Sequence, residues 1–312
     1  MVQIEIFNTR ARAKPFLKWA GGKSSLVRQL QHFYPEELKQ GKIDRYIEPF
    51  LGSGAVFYDV IQKYDIEEAF LGDINPDLIL TYKVLKHEPD ALIRTLGEIQ
   101  DKYHSLNSIE QEKFYYFARD RFNQECSEIT YQEYSDQWIS HASNLIFLNK
   151  TCYNGLYRVN RKGEFNVAFG KYENPALFEE ENLLRSSELL HKANLHIWSY
   201  EKCEPYVNKN TFVYFDPPYW PLSSTSNFTS YSKDPFKDEN QKELVRFFSK
   251  LDKQCNAKLM LSNSDPSVTN LENTSLDELY SQFTVHKVYA NRSINSNPNK
   301  RNKISEIIVM NY

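Results

Sequence analysis

Phe212-Val213-Tyr214-Phe215-Asp216-Pro217-Pro218-Tyr219 is an apolar run that stops at a carboxylate, then at two prolines, then at an aromatic ring. A short continuous apolar run bounded by turn residues reads as a strand buried on both faces, as in a parallel sheet. Each proline fixes its own φ and biases the residue before it towards extended geometry, so the turn after the strand is stiff. Open α/β sheets bind their ligands at such C-terminal strand ends.

The residues of this turn suit work on an –NH₂ group. The exocyclic amine of a nucleobase is a poor nucleophile because its lone pair is delocalised into the ring. Two acceptors placed at the amine hydrogens draw the nitrogen towards a tetrahedral state. The Asp216 carboxylate supplies one acceptor and the Pro217 carbonyl the other, since proline keeps its C=O while losing its N–H. Pro218 stiffens the turn, and Tyr219 offers a ring on which a base can stack, a contact worth ~1–3 kcal/mol.

Outward from this strand, further short apolar stretches lie at Tyr46–Glu48, Ala69–Leu71, Leu195–Trp198, Lys258–Leu261, Thr284–Tyr289 and Ile304–Met310. Most end in polar turn residues, and helical patterns separate several of them. Leu244, Phe247, Phe248 and Leu251, for example, share one helical face. Strands alternating with helices predict an α/β fold with a mainly parallel sheet. From about Asp77 to Asn149 the pattern is helical throughout. Leu92, Leu96, Ile99 and Tyr103 form one apolar stripe, and Thr130 followed by Glu133 predicts a capping box ahead of Trp138. Residues 149–171 then read as a polar loop or hairpin carrying Gly155, Gly163 and Gly170.

At 312 residues the chain is long enough for one large domain or two, with a core that needs no staples. An aromatic share of 14% argues against disorder. No apolar run reaches the length of a membrane span, and Met1 to Arg12 lacks the apolar stretch of a signal peptide. Cys126, Cys152, Cys203 and Cys255 are far apart and form no Cys-x-x-Cys pair. They read as free thiols of a cytoplasmic protein, with no metal site expected. Net charge is −3, so any nucleic-acid surface must be local. Three stretches qualify: Arg10 to Arg28 holds six basic residues and no acid, Lys150 to Lys171 five against Glu164 alone, and Lys287 to Lys303 five and no acid. One such cluster is ordinarily a solvated loop, but three beside Asn, Ser or aromatic residues fit phosphate contacts better.

A second strand-turn signal is Ile47-Glu48-Pro49-Phe50-Leu51-Gly52-Ser53-Gly54, where two glycines let the backbone approach a ligand. Asp73 follows nineteen residues after Gly54, at the end of the next strand. Alone it is a turn acid. Paired with the glycine turn it predicts a ribose partner and hence an adenosine-containing cofactor. In Phe16-Leu17-Lys18-Trp19-Ala20-Gly21-Gly22-Lys23-Ser24, Gly-Lys-Ser suggests a phosphate loop, but the glycine that motif needs five residues earlier is Leu17. Nucleotide hydrolysis therefore fails its own spacing test.

Together these motifs resemble the Dam-type DNA adenine-N6 methyltransferases of the D12 class. The resemblance spans almost the whole chain. Lys18-Trp19-Ala20-Gly21-Gly22-Lys23 looks like the family's N-terminal motif, Glu48 to Gly54 its S-adenosylmethionine turn, and Asp216-Pro217-Pro218-Tyr219 its catalytic turn. Asn227-Phe228-Thr229-Ser230-Tyr231 resembles the loop that follows, and Arg292-Ser293-Ile294 with Asn297 the closing basic motif. The resemblance implies a Rossmann-like methyltransferase sheet, mainly parallel with a C-terminal antiparallel strand, plus an inserted helical DNA-recognition subdomain. It divides the chain into residues 1–76 and 179–312, the two parts of the catalytic domain, and 77–178, the insertion. It implies that Trp19, Lys23, Phe50, Gly52, Ser53, Gly54, Asp73 and Asp216 contact S-adenosylmethionine. It implies double-stranded DNA as substrate, with the target adenine flipped onto Tyr219. Cys152 to Arg158 with Gly163 to Val167 looks like the recognition hairpin. In GATC readers the positions matching Lys18, Tyr153, Asn154, Leu156 and Arg158 lie at the DNA, and Asn227 and Arg292 fall in motifs placed there too. Ala168 stands where those readers usually carry proline. A cognate restriction endonuclease acting on the same site is a further implied partner.

The same turn can hold any exocyclic amine, so cytosine-N4 methylation is the nearest alternative. Methylation of RNA or of a protein amide is another. A non-catalytic DNA-binding protein on this scaffold is a third; its mark would be a damaged Asp-Pro-Pro-Tyr or Gly-x-Gly, and both are intact.

Overall fold

All seven expected strands are present and join one sheet. The computed structural model describes residues 11–219, 236, 238–265, 280–290 and 304–312. The strands are β1 (Arg45–Glu48), β2 (Glu68–Asp73), β3 (Ala193–Ile197), β4 (Thr211–Phe215), β5 (Lys258–Ser264), β6 (Thr284–Ala290) and β7 (Ile304–Met310). Their order is β3-β2-β1-β4-β5-β7-β6. Every pair from β3 to β5 is parallel, while β7 runs antiparallel to both β5 and β6. The fold is therefore the mainly parallel, Rossmann-like α/β sheet expected, with one reversed C-terminal strand.

Burial explains the apolar runs. Phe212 and Tyr214 of β4 join a core on one face with Tyr46, Phe57, Leu71 and Met260. Val213 and Phe215 join a core on the other face with Ile47, Leu244, Phe248 and Leu261. Both faces of the strand are covered, so polar alternation is absent. The chain works outward from β1 through β2 to β3 on one side and from β4 to β5 on the other. The reversal falls between β1 and β4, and their C-terminal ends flank a crevice.

Short helices α1 (Val27–Leu30) and α2 (Glu36–Lys39) precede β1, and α3 (Ala55–Lys63) follows it. The helical middle comprises α4 (Pro76–His87), α5 (Pro89–His104), α6 (Ser108–Glu128) and α7 (Gln137–Thr151); α8 (Glu180–Leu190) and α9 (Asp238–Cys255) complete the layers. Helix α4 starts where Asn75 accepts from Leu78 N–H and Pro76 takes the first turn. Its Leu78, Ile79, Tyr82 and Leu85 share a core with the sheet. A separate core unites Tyr103, Tyr115, Phe122 and Phe147 of α5–α7 with Tyr157, Phe165, Val167 and Phe169 of the following segment. That segment is a hairpin, bridged at Cys152 and Phe169 and at Val159 and Phe165.

The capping box expected at Thr130 and Glu133 does not form. Helix α7 begins at Gln137, because the Thr130 carbonyl instead accepts the Trp138 indole N–H (2.8 Å) and the Tyr131 hydroxyl reaches Asp77 (2.6 Å). The helical middle does carry a capping box, at Asn107 and Glu110 of α6. The four cysteines are free thiols, and among the described residues no helix is long and apolar enough to cross a membrane.

Asp77 is the hub of the helical middle. Its buried carboxylate accepts from Tyr131, from Tyr157 (3.0 Å) and from His141 Nε2 (2.8 Å). Burial opposes charge on both partners. The His141 bond nonetheless holds Asp77 below its ordinary range, and bonds to Asp77, Cys126 and Glu125 push His141 up to about 11. Removing one partner of a buried pair strands the other. Asp77→Ala is therefore expected to cost about 3–5 kcal/mol in urea unfolding. Tyr157→Phe, which deletes one hydrogen bond, should cost nearer 1 kcal/mol. Equal losses would show that Asp77 is not the hub.

Candidate active site

Asp216 follows the last residue of β4, at the strand end facing the crevice. Lys23 Nζ lies 2.7 Å from Asp216 Oδ1 and is itself only 3% exposed. The same ammonium donates to the Gly21 carbonyl (2.7 Å) and sits 4.5 Å from the centre of the Tyr219 ring. The Tyr219 hydroxyl donates to Glu306 Oε2 of β7. From behind, Gln241 Nε2 of α9 donates to the Pro218 carbonyl (3.0 Å), and the Gln241 Oε1 accepts from Asn263 Nδ2 (3.0 Å). Prolines stiffen this turn and hydrogen bonds fasten it on two sides.

Three carboxylates crowd one ammonium here. Burial raises Asp216 to about 6, Lys23 opposes that rise, and the Glu306 charge adds to it. Glu48, at the end of β1, is raised to about 8 by burial, with the Asp216 charge adding, although the Tyr46 hydroxyl (2.7 Å) and Phe57 N–H (3.0 Å) both donate to it. Glu48 closes the β1 turn onto the start of α3 and reads as part of the frame.

The glycine turn lies between β1 and α3. Gly52 has φ +48°, and a Cβ there would lie 3.0 Å from the Trp19 ring, so glycine is needed both for the backbone and for the approach. Gly54 is the residue that caps α3, and Ser53 is buried against Gly22 of the N-terminal motif. Phe50 stacks on Tyr200 with centroids 5.4 Å apart. Asp73 accepts Gly52 N–H (3.0 Å) and Asn75 N–H (2.9 Å), and burial raises it. It thus does the work of a turn acid. A carboxylate has about four acceptor positions, so two bonds do not exhaust it.

Trp19 stacks on Tyr157 of the hairpin (5.1 Å, 26°), which joins the glycine turn to the helical middle. A cavity of ≈ 590 Å³ opens at this junction, lined among others by Lys18, Trp19, Gly22, Ser53, Tyr153, Asn154 and Leu156. Lys18 N–H and C=O are held by the Asn149 side chain (2.8 and 2.7 Å), and the Lys18 stem crosses Gly155, where a Cβ would lie 2.3 Å from it. Asn154 (φ +59°) and Gly155 (φ +61°) turn the hairpin outward, leaving Tyr153 half exposed at 53%. Arg158 is outside that wall. Its Nε donates to Asn166 Oδ1 (2.8 Å) and its NH2 to the Asn166 carbonyl (3.0 Å), two of its five N–H donors.

A protein-family model described as the D12 class N6 adenine-specific DNA methyltransferases matches residues 19–294. This chain belongs to that family. Among relatives, the Type II methyltransferase M.MjaIII of Methanocaldococcus jannaschii is 46% identical over 303 residues, covering 96% of this chain and 99% of its own length. The Type II methyltransferase M1.LlaDCHI of Lactococcus lactis subsp. cremoris is 36% identical, covering 96% and 95%. A DNA adenine methylase of Vibrio cholerae is 34% identical, covering 96% of each chain. Family membership makes this an adenine-specific DNA methyltransferase.

The described part of this methyltransferase gathers the expected residues into two adjoining groups. Lys23, Asp216, Pro217, Pro218 and Tyr219 form the first; Trp19, Gly52, Ser53, Gly54, Phe50 and Asp73 the second. Lys18, Tyr153, Asn154 and Leu156 border the second across the cavity. Asn227 with its loop, and Arg292 with its basic motif, lie outside the described residues. The sequence alone does not single out Glu306, Gln241 and Tyr157, whose roles come from contacts made 87, 23 and 80 positions away. A carboxylate in the mostly apolar β7 is the one signal for Glu306. Because Lys23 restrains the rise of Asp216, Lys23→Gln is expected to push Asp216 further above about 6. Carbon NMR of ¹³C-labelled aspartate would read this, and an unmoved titration would deny the coupling.

Proposed function

We propose that this protein transfers a methyl group from S-adenosylmethionine to N6 of an adenine flipped out of duplex DNA, within GATC. The observation that carries the reading is the part-buried Asp216 carboxylate at the sheet's reversal point, paired with the buried Lys23 ahead of Pro-Pro-Tyr and beside a glycine cradle. The cradle suits an adenosine-containing group. Gly52 has no side chain to fill it, Trp19 and Phe50 wall it with aromatic rings, and Asp73 retains acceptor capacity for ribose hydroxyls. When bound, S-adenosylmethionine supplies a methyl group on a positively charged sulfur.

The protein's part is placement. Asp216 accepts one hydrogen of the adenine amine and the Pro217 carbonyl accepts the other, which turns the N6 lone pair out of conjugation. Tyr219 stacks on the base and holds it in plane. Lys23 favours the ionised form of Asp216, the form that accepts. The geometry is set before the base arrives, so little reorganisation is left for the reaction. Across the cavity, Lys18, Tyr153, Asn154 and Leu156 suit contact with the duplex, and Arg158, presented by Asn166, suits a bidentate guanine contact. The names of two relatives as Type II methyltransferases fit a companion endonuclease acting on the same site.

Asp216→Ala is expected to cut methylation by about 10²–10³-fold, the scale for one preorganised polar group at a reacting centre, while duplex binding persists. Near-normal turnover would remove Asp216 from the chemistry. Arg158→Ala should lose ~1–3 kcal/mol of discrimination at one base pair with methyl-donor binding intact. Digestion of the methylated DNA and identification of the base separates N6-methyladenine from N4-methylcytosine. Single-molecule sequencing of a host expressing the protein reads base and site together, and a motif unrelated to GATC would overturn the specificity.

A further inference from the structure

We propose that Glu306 is a positioning residue for methyl transfer: from the reversed strand β7 its carboxylate receives the Tyr219 hydroxyl and fixes the ring against which the target base is held. This rests on the reading of Asp216 to Tyr219 as the catalytic turn.

The two prolines determine the path of the backbone up to Tyr219 but not its side-chain torsions. Those are determined by what the ring and hydroxyl touch. One face of the ring lies under Lys23 Nζ at 4.5 Å, and the hydroxyl donates to Glu306. Tyr219 is raised well above its ordinary range, chiefly by burial, so its hydroxyl remains a donor throughout the working pH range. Glu306 is 8% exposed, and a buried carboxylate needs donors to offset lost hydration. Its own place is rigid. It lies opposite Ser264 of β5 and Val288 of β6, and next to it Ser305 Oγ donates to Asp265 (2.6 Å). A ring held this way loses little freedom when a base stacks on it, whereas a ring able to swing must be ordered at each turnover.

Glu306 also acts at a distance. Among the described residues, the charged and titratable groups around Asp216 are Lys23 from the N-terminal segment, Glu48 from β1, Tyr214 from β4, Tyr219 and Glu306 from β7. Glu306 raises Asp216, so removing its charge lowers Asp216. The ionised form of Asp216 then survives to lower pH, and the acid limb of kcat/KM moves down with it.

The test is a double-mutant cycle of Glu306→Leu and Tyr219→Phe, with Glu306→Gln as the variant of unchanged shape. Readouts are kcat, KM for DNA, and fluorescence of 2-aminopurine at the target position, which reports stacking. Glu306→Leu and Tyr219→Phe should each lower kcat by about tenfold, as for loss of one charge-assisted hydrogen bond, with KM for DNA little changed. The double variant should be no worse than the poorer single, because both remove one contact. Glu306→Gln keeps an acceptor and most of kcat, but its acid limb shifts to lower pH. Should Glu306→Leu fail to fold, Tyr219→Phe decides: it keeps the ring and deletes the same contact, so an unchanged kcat and unchanged 2-aminopurine stacking would overturn the proposal. Losses that multiply, or an acid limb that stays put, overturn the proposal. Asp216→Ala separates the two readings: if it loses methylation as expected while the cycle is additive, only the role of Glu306 falls. If Asp216→Ala turns over near-normally, the catalytic turn and this proposal fall together.

Discussion

One buried ammonium sets the electrostatics of the crevice. Asp216 after β4, Glu48 at the end of β1 and Glu306 on β7 bring three carboxylates to one edge of the sheet, and burial pushes the first two towards their neutral forms. Lys23 counters this at 2.7 Å from Asp216 while its other contacts tie it to Gly21 and the Tyr219 ring. Attraction at that distance in a partly dry site is far stronger than between exposed groups. The N-terminal Gly-Gly turn exists in the fold to deliver this side chain, which explains why a sequence that looks like a phosphate loop lacks that loop's spacing.

Most of the sheet is legible in the sequence. The Thr211–Phe215 run has to be buried on both faces because it carries no polar alternation, and it lies between β1 and β5 with a core on each side. In the apolar stripe, Leu92, Leu96 and Tyr103 are buried and Ile99 is partly buried, as the spacing requires. Local signals fail where distant groups compete for the same backbone atoms. Thr130 and Glu133 have the spacing of a helix start, but the indole of Trp138 claims the Thr130 carbonyl. At Asp73 the bonds within the protein go to the turn it braces, a second role that its spacing from the glycines does not announce. Glu306 and Gln241 are illegible because nothing near them in the chain indicates what they hold.

The helical middle is more than an appendage to the sheet. Tyr157 links three systems: its hydroxyl reaches the Asp77 hub and its ring stacks on Trp19, which in turn closes over Gly52. Side chains that differ in what they are proposed to recognise therefore share one packed seam. The hairpin residues on its far side, Tyr153 to Leu156, are displayed from a base whose position depends on the same carboxylate that orders α6 and α7.

Strand β7 lies inside the sheet although β6 precedes it in the chain. The ladder between β5 and β7 can be completed only after the polypeptide has passed through the edge and turned back. Ser262 to Ser264 thus wait for partners more than forty positions downstream. A chain interrupted ahead of residue 304 keeps every glycine of the cradle and the whole Asp-Pro-Pro-Tyr turn, yet leaves the tyrosine unmoored. The working surface is in that sense tied to the topology: the strand that closes the sheet from the far end of the chain is the one that carries the tyrosine's partner.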